Sequence, residues 1–102
     1  MTVPVVAMFL VKPGSESLVE QLFRGVIAAT HAEEGCIAYQ LNRDLEEPRR
    51  FVWTEEWASR ELLDKHLAAP HIVELFAKLP EHIETSAVIA LRPLAGGAAT
   101  TA

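Results

Sequence analysis

Two segments near the ends of the chain, Val3 to Lys12 and Thr85 to Arg92, are apolar in both phases of a two-residue alternation. In the first, Val3, Val5, Ala7, Phe9 and Val11 take one side and Val6, Met8 and Leu10 the other; in the second, Ala87, Val88, Ile89, Ala90 and Leu91 leave neither side polar. Successive side chains of a strand point to opposite faces, so such strands must be covered twice. A chain of 102 residues builds one core, burying roughly two thirds of its unfolded surface, and its helices suffice for one face of a sheet. The other face calls for a second surface, and a second copy of the chain is expected to supply it.

The segments between these strands change period in a definite order. Pro13-Gly14 ends the first strand, and Ser15 or Gly14 caps a helix in which Leu18, Leu22 and Val26 run beside Val19, Phe23 and Ile27. This predicts one long amphipathic helix from about Ser15 to Glu33, with Gly35 as the left-handed residue past its end. Cys36 to Asp44 alternates Ile37, Tyr39 and Leu41 against Ala38, Gln40 and Asn42. After a turn at Leu45-Glu46-Glu47-Pro48, a second alternating run sets Phe51, Trp53, Glu55 and Trp57 on one side, and the two form an antiparallel hairpin. Ser59 caps a helix bearing Leu62, Leu63, His66 and Leu67. Pro70 breaks it and opens a second short helix with Ile72, Leu75, Phe76 and Leu79, which Pro80 ends. The order strand, helix, strand, strand, helix, strand predicts an α+β fold, the ferredoxin-like βαββαβ arrangement with an antiparallel sheet. Residues 1–94 are read as that domain, and 95–102, small and uncharged, as a flexible tail.

Composition removes several classes of function. A net charge of −5, with nine scattered basic residues, argues against a nucleic-acid partner, which needs clustered Lys and Arg. The single Cys36 excludes an intrachain disulfide or a thiolate metal cluster within one subunit and fits a reducing compartment. Val3 to Val11 is too short to span a bilayer and lacks a basic leader, so a cytoplasmic protein with no membrane partner is expected. A mean hydropathy of +0.17 is high for a small soluble domain and again suggests a partner subunit. No nucleophilic triad order, phosphate loop or dinucleotide glycine pattern is present.

Few side chains carry chemistry. His66 follows Leu62 by four residues and Leu63 by three, and so shares their inward face. It reads either as a core histidine bonded to backbone carbonyls or as a base able to take a phenolic proton. His71 begins a helix, whose positive end disfavours imidazolium, and suits a pocket mouth or an exposed helix start. Pro70 lies between the two, so they are not the i, i+4 pair of a helical zinc motif, and His31 and His82 sit at polar positions; no metal site is supported. Phe51, Trp53 and Trp57 read as core or as the wall of a pocket. Glu55 between the tryptophans must find a donor or hold a proton, with Arg43 or Arg50 as candidate partners. Tyr39 can orient a polar ligand, and Cys36 reads as a small buried residue rather than a nucleophile.

These marks together resemble the antibiotic biosynthesis monooxygenase family of dimeric α+β barrels, including quinol monooxygenase-like proteins. The resemblance rests on Val11-Lys12-Pro13-Gly14, Glu34-Gly35-Cys36 with Tyr39, and Phe51-Val52 with Glu55 and Trp57. Ser59 to His66, Pro70-His71 and Leu91-Arg92-Pro93 complete it, so it spans Val3 to Leu94. It implies a homodimer and oxygenation of a small quinol or polyhydroxylated aromatic by O2 without flavin, haem or metal. His66 would be the catalytic proton acceptor or anion partner, and Trp57 and Phe76 the apolar walls; Glu55, Tyr39 and His71, from the reading of the residues themselves, are the further candidate substrate contacts. The same fold also serves proteins without a reaction, so a dimeric small-ligand-binding or interaction module is the alternative. The haem-degrading branch uses an asparagine on the first strand, where this chain has Ala7, Met8 and Phe9.

Overall fold

The computed structural model describes residues 1–99. Strands β1 (Val3–Val11), β2 (Cys36–Arg43), β3 (Arg50–Trp57) and β4 (Ile83–Ala90) form one antiparallel sheet in the order β2-β3-β1-β4. Helices α1 (Glu16–Arg24), α2 (Ile27–His31), α3 (Arg60–Leu67) and α4 (Pro70–Lys78) cover one face, and a 3-10 turn at Pro80–His82 leads into β4. This is the α+β, ferredoxin-like arrangement that the order of periods implies.

The alternation of β1 decides where the core lies. Val5, Ala7, Phe9 and Val11 are buried beneath the helices, while Val6, Met8 and Leu10 point the other way and are only half-buried. Register places Phe9 opposite Phe51 and Ala7 opposite Trp53, so the inward residues of β1 and β3 form one surface. Phe23 from α1 drops onto it, with ring centroids 5.1 Å from Phe9, 5.9 Å from Phe51 and 5.5 Å from Trp53, all edge-on. Edge-to-face aromatic packing of this kind contributes about 0.5–1.5 kcal/mol per pair beyond area burial.

Two boundaries differ from the sequence-based expectation. The long helix from Ser15 is interrupted: Gly25 and Val26 form a tight turn in which Val26 N–H bonds to Phe23 O at 3.3 Å. Glycine at this point weakens a helix by about 1 kcal/mol relative to alanine, yet Val19, Phe23, Val26 and Thr30 still bury along one stripe. The last strand begins at Ile83 rather than Thr85, because the 3-10 turn aligns Ile83 with Val11 across a bulge. Beyond the strand, residues 91–99 form no helix or strand and are exposed; residues 100–102 of the expected tail lie outside the described residues.

The sheet face turned away from the helices carries Val6, Met8, Leu10 and Val52 half-buried and Ile89 43% exposed. No helix among the described residues is long and apolar enough to cross a membrane.

Candidate functional site

The site begins at a glycine. Gly35 has φ +86°, a conformation that favours residues without a Cβ. A Cβ there would also lie 2.9 Å from Leu62 Cβ, so the loop before β2 and the first turn of α3 approach closely. Ala58 N–H donates to Gly35 O at 2.8 Å, and Ser59 Oγ accepts from Leu62 N–H at 3.2 Å as the helix cap. The start of α3 is thereby fixed beside the end of α2.

From that anchored start, α3 turns Leu63 and His66 inward, and His66 is 3% exposed. Ala69 is extended and Pro70 occupies the first turn of α4, so the chain folds back and places the rings of His66 and His71 6.3 Å apart. Glu33, just after α2, fills the space between them. Its Oε2 lies 2.7 Å from His66 Nδ1 and 3.2 Å from His71 Nε2. Thr30, fully buried, sets its Oγ1 3.1 Å from His71 Nε2. Burial lowers the His66 pKa below the usual imidazole range, against the opposing pull of Glu33. The ring is therefore neutral near pH 7, and a proton on Nδ1 shared with Glu33 leaves Nε2 as the acceptor.

His66 lines a narrow cavity between the sheet and helices α3 and α4. Its wall is mostly apolar, from Val5, Ala7, Phe9, Trp53, Leu63, Ile72 and Leu75, with Tyr39, Glu55 and His66 as the polar groups. Leu67, Phe76 and Val88 line its outer part and are 36%, 39% and 48% exposed. The space open to the centre of a water-sized sphere is about 20 Å³, enough for one or two waters and too small for an aromatic ring. Tyr39 stacks on Trp53 with centroids 4.2 Å apart, and its edge meets His66 at 5.4 Å. Burial, reinforced by the charge of Glu55, holds the Tyr39 phenol well above its ordinary pKa. Tyr39 is thus a neutral hydrogen-bonding group.

Glu55 takes neither of the partners considered from sequence. Arg43 pairs with Glu20 at 2.8 Å and Arg50 with Asp44 at 2.9 Å. The donor is Trp57, whose Nε1–H reaches Glu55 Oε1 at 3.0 Å. Burial raises the Glu55 pKa, the Trp57 bond opposes that, and the nearby Glu33 charge adds to it. Cys36 is pushed up by burial and by the charges of Glu33 and Glu55, which disfavours the reactive thiolate.

The structure thus brings together Tyr39, Glu55, His66 and Phe76 around one cavity. Trp57 and His71 stand one layer back. Trp57 is fully buried behind His66, with ring centroids 4.5 Å apart, and Trp53 forms the aromatic wall instead. His71 lines a surface groove with Gln21, Leu22 and Val26 rather than the cavity. Glu33 and Thr30 are the residues that sequence reasoning did not select. Glu33 sits where the helical period fades, next to the exposed Glu34, and only its place two residues before Gly35 hints at a role.

Known proteins share this fold. The antibiotic biosynthesis monooxygenase family profile matches residues 2–78. Rv0793 of Mycobacterium tuberculosis is 33% identical over 93 residues, 90% of this chain and 91% of the relative. Its solved structure superposes with a TM-score of 0.89, covering 96% of this chain and 100% of that one at 31% identity. SO0527 of Shewanella oneidensis is 32% identical, with a TM-score of 0.85 over 88% of each chain. A solved structure described as an antibiotic biosynthesis monooxygenase is 31% identical, with a TM-score of 0.85 over 91% of this chain and 99% of that one. The chain belongs to the antibiotic biosynthesis monooxygenase family.

Proposed function

We propose that the protein is a cofactor-independent monooxygenase that oxidises a small quinol or polyhydroxylated aromatic with O2. The observation that carries this reading is the Glu33-held His66 at the wall of an apolar cavity. His66 Nε2 accepts the phenolic proton, and the Glu33 carboxylate stabilises the imidazolium that results. The phenolate is the electron donor to O2. A ring C–H carbon ends as C=O with one oxygen atom, and the other leaves as water; all electrons come from the substrate. Tyr39 donates a hydrogen bond to an oxygen of the ring and Glu55 lies beside it at the cavity wall, while Trp53 and Phe9 shield the intermediate from water.

The cavity as it stands has room for a molecule no larger than O2 or a water or two, so the aromatic enters by displacing Phe76 and Leu67 at the exposed end. The working unit is a homodimer in which the open sheet faces, built on Val6, Met8 and Val52, pack together as a dimeric α+β barrel.

The test is oxygen uptake by metal-stripped, flavin-free protein with a panel of quinols. Turnover above substrate autoxidation is expected, with His66→Ala slower by roughly 10²-fold or more. No uptake across the panel points instead to a ligand-binding module, and equal rates for both proteins remove His66 from the mechanism.

A further inference from the structure

We propose that Glu33, His66 and His71 form a binding site for one divalent transition-metal ion of the zinc type, on the edge of His66 turned away from the cavity. The inference goes beyond the oxygenation reading and does not depend on it. One donor atom from each residue lies within 4.8 Å of the other two. Two imidazoles and a carboxylate are a donor set that suits borderline first-row ions, and three protein ligands leave a position open. Zinc–ligand bonds of about 2.0–2.1 Å in a tetrahedral site place donors roughly 3.4 Å apart. Glu33 Oε2 stands 3.2 Å from His71 Nε2 and 2.7 Å from His66 Nδ1, so a small rotation of the carboxylate makes the room.

The surroundings fit an ion as well as the ligands do. Three separately anchored segments supply the donors: the loop after α2, the last turn of α3 and the first turn of α4. His71, with its side chain 25% exposed, opens onto the groove beside Gln21 and Leu22, which gives an ion access from solvent. Both histidine contacts fall on Glu33 Oε2, which leaves Oε1 for a second bond to the ion or for water. Thr30 Oγ1, 3.1 Å from His71 Nε2, sets an oxygen beside the open position.

An ion on His66 Nδ1 and the hydrogen bond from Nδ1–H to Glu33 exclude each other. Metal binding moves that proton to Nε2, so this second ring nitrogen becomes a donor instead of an acceptor. The ring stays neutral and no proton is lost. Occupancy of the triad thus sets the hydrogen-bonding character of the cavity wall.

The experiment uses tag-free, metal-stripped protein without substrate, titrated with Zn2+ by calorimetry and with Co2+ by visible absorption. One ion per chain is expected, with the intense absorption of a tetrahedral Co2+ centre. His71→Ala, at a partly exposed helix start, should bind at least about 10-fold more weakly while keeping its circular dichroism, and Glu33→Gln should do the same. His82→Asn, outside the triad, should bind as the unaltered protein does. Absence of saturable binding to the folded protein, or equal affinity in His71→Ala, overturns the site. Because no turnover is measured, neither result bears on the oxygenation reading.

Discussion

Glu33 Oε2 lies 2.7 Å from His66 Nδ1 and thereby engages one edge of the imidazole, leaving Nε2 without this partner. A carboxylate on one ring nitrogen fixes the tautomer and stabilises positive charge when the other nitrogen takes a proton. Glu33→Gln keeps the shape and removes the charge. Turnover should fall by roughly 10–100-fold with KM nearly unchanged, since Glu33 does not line the cavity. Steady-state oxygen uptake checks this, and a change confined to KM would place Glu33 in substrate binding instead.

Gly35 is expected to be sensitive to the smallest substitution. Gly35→Ala forces a left-handed backbone on a residue with a Cβ and displaces Leu62. Strain of this kind costs about 1–3 kcal/mol, with the steric displacement in addition, so a urea midpoint well below that of the unaltered protein is expected. A change under about 0.5 kcal/mol, the range of ordinary surface substitutions, would mean that the loop relaxes freely.

Glu55 should give stability a pH signature. Its folded pKa is raised above the unfolded value by burial, with Glu33 charged nearby, Trp57 donating to it, and Tyr39 and His66 lining the same cavity. Between the unfolded and folded values the native state holds more protons, so stability falls as pH rises through that window and then levels off. A tenfold difference in proton affinity between the folded and unfolded chain corresponds to about 1.4 kcal/mol. Denaturant curves from pH 4 upward should show this decline in the unaltered protein and a flatter profile in Glu55→Gln; parallel profiles would assign the carboxylate no such role.

Met8 tests the sheet face. It lies opposite Val52 on one side and Ala87 on the other, near the middle of the uncovered surface. A charge there, as in Met8→Glu, costs little in a lone subunit whose face is wet, and several kcal/mol if the face is buried against another copy. Sedimentation should show the unaltered protein as a dimer and Met8→Glu as a folded monomer. An unaltered protein that runs as a monomer at micromolar concentration removes the dimer.

Much of the fold was legible because its determinants are local. Ser59 as a cap, Gly35 in the left-handed region and Pro70 in the first turn of α4 each follow from what one residue type permits, and each stands where expected. The break at Gly25 was less visible, because the apolar stripe keeps its period across it. The site was legible only in part. Alternation along β3 puts Trp53 and Trp57 on the same face, but the docking of α3 decides that Trp53 meets the cavity and Trp57 stands behind His66. The Glu33–His66 bond spans 33 positions in sequence, and no periodicity relates its ends.

The joint at Ala69 and Pro70 has a consequence for how such a site tolerates change. Proline has no amide hydrogen to extend the α3 ladder, and its ring disfavours a helical residue before it, so α3 and α4 cannot merge into one rod. The bend is therefore written into the covalent chain and does not depend on neighbouring packing. Side chains around the cavity can be exchanged for others, altering what fits inside, while His66 and His71 continue to aim at the same carboxylate.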